Sequence, residues 1–247
     1  MGRAFEFRKA RKMKRWAAMS KAFTRIGKDI VMAVKEGGPD PDSNSRLRAV
    51  IQNAKSVNMP KDTIEKAVKK GTGELEGQAF EDILYEGYGP GGVAIMIEAL
   101  TDNRNRTAPE IKKLFERRGG SLGTSGCVNW MFKKKGLITV NRSDADEDEL
   151  MDTVLSAGAE DMTTDSDIFE IICDPSGYEG LKNALEEKEI TMQVAEISMI
   201  PENNVAVGDK ETARKILGLM EDFEDHDDVQ NVYSNFDIPD EIIAEIQ

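Results

Sequence analysis

Cationic side chains crowd the first thirty residues in a pattern suited to holding phosphate. Glu6 is the only acid before Asp29, and cations surround Trp16. The cations to which we assign phosphate contacts in this basic segment, residues 8–28, are Arg8, Lys9, Arg11, Lys12, Lys14, Arg15, Lys21, Arg25 and Lys28. Lys and Arg bind nucleic-acid phosphates by releasing counterions, which requires only cations on one accessible face. A solvated helix face is the alternative, but such faces usually mix charge signs, so we favour phosphate binding.

A second set of donors lies in Thr101–Thr107, which reads TDNRNRT. Arg104 and Arg106, with asparagine and threonine neighbours, follow an apolar run and lead into a helix, where backbone N–H groups attract phosphate. An ordinary capped turn between strand and helix explains the same residues equally well. We add further cations of the helical region to the candidate interface: Arg46, Arg48, Lys61, Lys69 and Lys70.

The chain lacks the residue patterns of an enzyme. Its only histidine, His226, stands in the acidic run 222–228, so no Ser-His-Asp arrangement forms elsewhere and a solvated surface histidine is the simpler interpretation. That acidic run lacks the central glycine and final glutamate of a calcium loop. The Gly-rich stretches 88–92 and 119–126 match no nucleotide-binding pattern and are typical of turns and hinges. We expect no catalytic residues, no metal and no cofactor.

Charge is distributed very unevenly along the chain. Residues 1–75 hold 18 Lys+Arg and 8 Asp+Glu, a net +10, whereas residues 136–247 hold 6 and 30, a net −24. The stretch between them is nearly neutral, with 9 and 8. This asymmetry indicates a nucleic-acid contact at the basic end, despite the overall charge of −13.

Two further features bear on the cell compartment. Cys127 and Cys173 have no metal or redox spacing, and two reduced, buried thiols suit a cytoplasmic protein. The longest apolar stretches, such as Val93–Leu100, are too short to span a bilayer, so we expect no membrane partner.

Residues 1–75 are predicted to be helical. From Met13 to Val34 the apolar residues recur on one side of a helix that Gly37–Gly38–Pro39 ends. Asn44 or Ser45 caps a second helix, and Pro60 begins a third. Gly71 is expected to adopt the left-handed cap of that third helix. The small residues of 71–77 then predict a linker that permits relative motion.

Beyond the linker, strand patterns alternate with helix patterns. The predicted strands are Ile83–Tyr85, Val93–Leu100, Cys127–Phe132, Leu137–Val140, Ile168–Cys173, Thr191–Ile200 and Val229–Asp237. The predicted helices are Pro109–Arg118, Glu147–Ala157, Tyr178–Lys188 and Lys210–Phe223. Residues 137–200 follow the order strand, helix, strand pair, helix, strand, which is ferredoxin-like. Residues 80–133 form half of such a unit, and the last helix and strand supply the other half.

These patterns predict an α+β fold: a helical N-terminal domain followed by two small α/β, ferredoxin-like domains, one inserted in the other. The predicted bounds are 1–75 for a basic, nucleic-acid-binding helical domain, 76–135 plus 205–247 for a discontinuous middle domain, and 136–204 for an acidic inserted domain.

Several stretches together resemble the YebC family. They are GGPDPD at 37–42, RLR at 46–48, NMPK at 58–61, GTGE at 71–74, YEGYGPGG at 85–92, TDNRNRT at 101–107 and NVYSNFDIP at 231–239. The chain departs at its start, where many members have Gly-His-Ser-Lys-Trp; the histidine has no counterpart here. The resemblance implies three domains, no recognised catalytic residues, and a DNA-binding transcriptional regulator. Related mitochondrial members are translational activators, and bacterial relatives are connected with stalled ribosomes.

Three functions remain open at this point. The first is a DNA-binding transcriptional regulator, with Arg46, Arg48, Gln52 and Asn53 on the second helix as base-reading candidates. The second is a monomeric, ribosome-associated translation factor that binds rRNA through its basic end. The third, an enzyme, requires a ligand pocket between the α/β domains. We expect a monomer whose partner is nucleic acid, either DNA or rRNA.

Overall fold

The computed structural model of the chain describes residues 19–74, 80–165 and 167–246. Residues 129–204 form one compact unit, and the described parts of 3–128 together with 205–247 form the other. Six of the predicted phosphate-binding residues lie outside the described residues: Arg8, Lys9, Arg11, Lys12, Lys14 and Arg15. Lys21 belongs to the first described helix, but its side chain also lies outside the described part.

The predicted helical region contains three described helices. They are α1 (Met19–Gly37), α2 (Ser45–Ser56) and α3 (Lys61–Gly71). Their apolar faces enclose a small core that includes Ile30, Leu47 and Ala54, all fully buried. As predicted, α1 ends in the Gly37–Gly38–Pro39 turn, where Gly38 adopts a φ of +86°.

Asn44 ties the start of α2 to the end of α1. Its buried side-chain oxygen accepts a hydrogen bond from the Leu47 amide at 3.0 Å, which caps α2. Its amide nitrogen donates to the carbonyls of Ala33 at 2.7 Å and Gly38 at 2.8 Å. The prediction that Asn44 or Ser45 caps this helix is confirmed for Asn44, whose side chain also fixes the angle between the two helices.

Gly71 has a different role from the predicted left-handed cap. It is the last residue of α3, and a Cβ there would lie 2.6 Å from the Cβ of Val34 on α1. The residue with a positive φ, +80°, is Gly73. Gly71 therefore allows α1 and α3 to pack closely, and Gly73 permits the turn that follows.

The same unit continues as a four-stranded antiparallel sheet covered by two long helices. Its strands are β1 (Glu81–Tyr88), β2 (Ala94–Thr101), β3 (Ser121–Leu122) and β9 (Val229–Ser234), in the order β3-β1-β2-β9. The helices are α4 (Arg104–Arg117) and α7 (Lys210–Glu224), whose Phe115 and Phe223 rings meet at 4.7 Å. β8 (Val205–Ala206) pairs in parallel with β10 (Phe236–Asp237), and α8 (Asp240–Ile246) follows.

Residues 129–204 form the predicted ferredoxin-like arrangement. The elements are β4 (Phe132–Asn141), α5 (Glu147–Ser156), β5 (Ala159–Asp165), β6 (Ile168–Cys173), α6 (Tyr178–Glu187) and β7 (Met192–Pro201). The antiparallel strand order is β5-β6-β4-β7, in which β6 separates the two strands joined through α5. The α+β class is confirmed, although the order of the other sheet, β3-β1-β2-β9, is not the ferredoxin order.

Three predicted elements differ from the structure. The strand predicted at Val229–Asp237 is divided into β9 and β10, which pair with β2 and β8 respectively. Cys127 and Val128 belong to no strand and Asn129–Met131 is a short 3-10 turn, because the Val128 amide donates to the Glu86 carboxylate rather than to a strand neighbour. The helix predicted from Pro109 begins at Arg104 instead, since Asn103 caps it. The errors at Cys127–Phe132 and at Pro109 arise from side-chain contacts that periodicity does not encode.

Candidate nucleic-acid interface and the Asp228 junction

A buried carboxylate joins the helical region to the sheet. Asp228, immediately before β9, accepts hydrogen bonds from Lys28 Nζ at 2.8 Å and from Arg106 Nη2 at 2.7 Å. The hydroxyls of Thr107 at 2.7 Å and Thr101 at 3.1 Å complete the set. Burial raises the pKa of such a carboxyl, but the bonds from Lys28, Arg106 and Thr107 outweigh it and hold the pKa of Asp228 well below its usual range. We call these residues, together with Arg25, the Asp228 junction.

The structure corrects the prediction that Arg25 and Lys28 contact phosphate. Arg25 is only 6% exposed, and its guanidinium donates to the backbone carbonyls of Glu224 and, at 3.0 Å, His226. Lys28 also donates to the Leu100 carbonyl at 3.2 Å, besides its ion pair with Asp228. Their charges are used inside the molecule, so they hold α1 against the turn between α7 and β9.

This junction also changes the interpretation of the 71–77 stretch. Its small residues predict a linker with free relative motion, yet α1 is joined to the sheet by a buried ion pair and several hydrogen bonds. Removing one partner from a buried ion pair is costly, so separating these parts is unfavourable. The helical region and the sheet are therefore coupled.

The TDNRNRT motif divides between two roles. Asn103 caps α4, because its side-chain oxygen accepts a hydrogen bond from the Arg106 amide at 3.2 Å. The Arg106 guanidinium donates hydrogen bonds to the carboxylates of Asp228 and, at 3.0 Å, Asp102. Arg104 is exposed on the first turn of the same helix. Arg106 therefore has the structural role that the capped-turn interpretation predicts, whereas Arg104 is accessible to a partner.

His226 is a structural residue rather than a solvated one, which corrects the sequence interpretation. Its side chain is 13% exposed, and its Nδ1 accepts a hydrogen bond from the Asp228 amide at 3.1 Å. Nε2 therefore carries the proton and faces Glu110 Oε2 at 3.1 Å. The ring supports the turn that presents Asp228.

We expect His226→Ala to lower the free energy of unfolding by about 1 kcal/mol, since the variant forgoes one to two hydrogen bonds. His226→Asn, whose side-chain oxygen can replace Nδ1 as the acceptor, should recover part of that difference. Urea-induced unfolding measures both. Nucleic-acid binding by the folded His226→Ala protein should match that of the wild type, and a large decrease would reveal a functional role for the ring.

The two Gly-rich stretches meet at the other end of the sheet. The buried Glu86 carboxylate accepts from the amides of Gly126 at 2.7 Å and Val128 at 2.8 Å. Tyr88, in the first stretch, donates its hydroxyl hydrogen to the Cys127 carbonyl at 3.0 Å. A carboxylate already occupies the amides that a phosphate would need, which supports the prediction of a structural turn.

The structure does not bring the stretches 88–92 and 101–107 together. They lie at opposite ends of β2, whose eight residues span about 24 Å at the usual rise of a strand. A partner that contacts both must therefore extend along the sheet.

The remaining predicted cations lie on the surface of the helical region. Arg46 pairs with Glu36, and Arg48 donates to the carbonyls of Pro41 at 3.0 Å and Asp42 at 2.8 Å. The three predicted lysines of α3 are exposed: Lys61, which is 3.6 Å from Glu65, and Lys69 and Lys70 near its C-terminal end.

Membrane-spanning helices and clustered metal ligands are both absent from the described residues. Within 19–74, 80–165 and 167–246, no helix has the length and apolarity needed to cross a bilayer. The same ranges contain no group of three or more His, Cys, Asp or Glu side chains arranged to hold a metal ion.

Family models match nearly the whole chain. Residues 3–74 match the TACO1/YebC protein N-terminal domain, and residues 80–236 match the TACO1/YebC second and third domain. The chain belongs to the TACO1/YebC family. A relative from Halothermothrix orenii, named "Probable transcriptional regulatory protein", is 55% identical over 240 residues, covering 96% of this chain and 95% of the relative. One of the same name from Natranaerobius thermophilus is 53% identical and covers 90% of each chain.

A solved member of similar structure comes from Aquifex aeolicus, where it is described as a conserved hypothetical protein. It superposes with a TM-score of 0.81 at 43% identity, covering 90% of this chain and 92% of that one. Identity at this level means that the TACO1/YebC fold described above is shared by both proteins.

Proposed function

We propose that this TACO1/YebC-family protein is a non-enzymatic regulator of gene expression that binds nucleic acid, acting as a DNA-binding transcriptional regulator. The observation that carries the proposal is the net +10 of residues 1–75 in a chain of net −13. Electrostatic attraction to phosphate supplies most non-specific affinity for nucleic acid. The names of the relatives support a role in transcription.

The proposal divides the work among three domains. Residues 1–75 contact phosphate, residues 76–135 with 205–247 hold that region in place, and the acidic residues 136–204 limit the surface to which phosphate adheres. The predicted phosphate-binding cations that are exposed in the described part are then Arg46, Arg48, Lys61, Lys69, Lys70 and Arg104. Arg25, Lys28 and Arg106 support the interface through the Asp228 junction without contacting phosphate themselves.

A salt titration of binding tests this proposal. The full chain is titrated into labelled duplex DNA and into a structured RNA hairpin at several salt concentrations. We expect log K to fall linearly with log salt, by about 0.9 for each duplex phosphate contact. If the chain binds neither the duplex nor the hairpin at low salt, the proposal is refuted. Binding to the hairpin alone would instead favour a translation factor that binds rRNA.

Arg104 and Arg106 should respond differently to alanine. Arg106→Ala removes a charged donor from buried Asp228 and should lower the free energy of unfolding by about 2 kcal/mol. Arg104→Ala should leave stability unchanged, because that side chain is exposed, and should weaken nucleic-acid binding and flatten its salt slope by about 0.9. Urea unfolding and a salt titration on each variant separate the two roles. Equal decreases in stability, or unchanged binding by Arg104→Ala, would contradict this division.

A further inference from the structure

Trp130 is exposed to an unusual degree. Its exposed fraction is 63%, the largest among the big apolar side chains of the described residues, followed by Leu155 at 52% and Ile197 at 42%. Tryptophan is highly buried on average, because its large apolar ring is costly to leave in water. A ring exposed to this extent is therefore a candidate contact for a partner.

The turn that carries Trp130 is anchored. Trp130 is the middle residue of the 3-10 turn Asn129–Met131, and the Met131 carbonyl accepts from the Glu202 amide at 2.9 Å. The next residue, Phe132, is buried and pairs with buried Pro201 at the junction of β4 and β7. The ring is thus presented by the end of a sheet, so little order has to be gained when a partner covers it.

Cations follow the exposed ring directly. Lys133, Lys134 and Lys135 make up half of the six Lys and Arg in residues 129–204, which also contain 18 Asp and Glu. Lys133 is 57% exposed and lies 3.5 Å from Glu202, and Lys134 is exposed as well. Successive strand residues point to opposite faces, so these two lysines border the start of β4 on both sides. Lys135 is less accessible, because its Nζ lies 2.7 Å from Glu160.

We propose that Trp130 is a stacking platform for an unpaired base of single-stranded nucleic acid, with Lys133 and Lys134 binding the adjacent phosphates. This inference rests on the proposed nucleic-acid binding and adds a contact outside residues 1–75. An aromatic ring beside cations is the combination that single-strand-binding surfaces use, whatever the base. A paired base inside a duplex is already stacked on both sides and cannot cover the ring. A protein partner fits less well, since lysine is depleted at protein interfaces.

Tryptophan fluorescence tests the inference directly. The chain has two tryptophans, Trp16 and Trp130, so the difference in emission between the wild type and Trp130→Phe belongs to Trp130. Single-stranded DNA and RNA oligonucleotides of the same sequence, and the duplex, are each added, and binding is followed separately by the anisotropy of a label. We expect both single strands to quench the Trp130 emission and the duplex to leave it nearly unchanged.

Variants provide the second measurement. Trp130→Ala should weaken single-strand binding by about 5- to 150-fold, the usual contribution of one base–aromatic stack, and Trp130→Phe should weaken it less. Because Trp130 is exposed, both proteins should unfold at the wild-type urea concentration. Lys133→Ala with Lys134→Ala should reduce affinity and salt slope while the quenching at saturation persists.

The outcomes separate this inference from the proposed function. Single-strand binding without quenching, or with wild-type affinity in Trp130→Ala, refutes the stacking platform and leaves the proposed function standing. Equal quenching by the duplex also refutes it. Failure to bind any nucleic acid refutes both proposals together.

Discussion

Replacing Asp228 with alanine should lower the free energy of unfolding by about 3 kcal/mol, the lower end of the cost of breaking a buried ion pair. The carboxylate accepts from Lys28, Arg106 and two threonine hydroxyls, and its side chain is 4% exposed. Without it, the Lys28 ammonium, itself only 11% exposed, lacks its counter-charge. Arg106 is 45% exposed and can rehydrate, which keeps the expected decrease at that lower end.

Asp227→Ala is the matched control, since Asp227 is the exposed neighbour and contributes only its backbone carbonyl to Lys28. Urea unfolding of both variants should show a large decrease in stability for Asp228 and almost none for Asp227. Decreases of similar size would mean that the junction does not couple the helical region to the sheet.

The junction should also be sensitive to acid. The pKa of Asp228 is lowered in the folded protein, so its carboxylate contributes stability above the unfolded-state pKa, near 4. That contribution disappears as pH falls from about 4 toward the lower folded-state pKa. The difference in stability between the wild type and Asp228→Asn should therefore shrink over that range. A difference that stays constant to the lowest pH at which the wild type folds would contradict the assignment.

Reversing Arg11, Lys12, Lys14 and Arg15 to glutamate should nearly abolish nucleic-acid binding. These residues belong to the most concentrated cationic stretch of the chain, in which Glu6 is the only nearby acid. The salt slope should also fall by about 0.9 for each duplex phosphate that the variant no longer neutralises. Arg25 and Lys28 are left unchanged, because altering them would disrupt the Asp228 junction. A decrease in binding could then result from a disrupted structure rather than from missing phosphate contacts.

The matched control reverses four exposed cations elsewhere: Lys188, Lys210, Arg214 and Lys215. It changes the net charge by the same amount, so a general electrostatic effect would weaken both proteins alike. We expect binding to fail only in the first variant. If its affinity and salt slope remain near those of the wild type, the phosphate contacts lie outside the basic segment.

Periodicity predicted the helical region and the ferredoxin-like unit well. The apolar stripes of α1 and α2 and the runs of apolar residues in β4 and β6 reflect which residues must be buried. The period at which apolar residues recur can be read directly from the sequence. Asn44 was predictable as a cap because a short polar side chain before an apolar stripe satisfies the first amides of a helix.

The Asp228 junction was not predictable from the same signals. Arg25 and Lys28 continue a cationic run, and only their tertiary contact with Asp228 and the α7–β9 turn shows that they face inward. Asp228 itself stands in a run of acids typical of a solvated turn. Its position directly before the apolar strand Val229–Ser234 is the feature that distinguishes it from the other acids of the run.

Trp130 was missed for a related reason. The apolar run Cys127–Phe132 resembles a buried strand, which predicts that its tryptophan lies inside. The Glu86 carboxylate accepts a hydrogen bond from the Val128 amide, and β4 begins only at Phe132. The Trp130 ring therefore lies on an exposed turn rather than inside a strand.

Crosslinking in living cells, followed by sequencing of the DNA and the RNA attached to the protein, tests the central claim most directly. The comparison is between the wild type and the protein with Arg11, Lys12, Lys14 and Arg15 reversed. We expect the wild type to recover far more nucleic acid than the variant, with promoter DNA enriched. Equal recovery by the two proteins, or no nucleic acid above background, would contradict a regulator that binds nucleic acid through its basic N-terminal region.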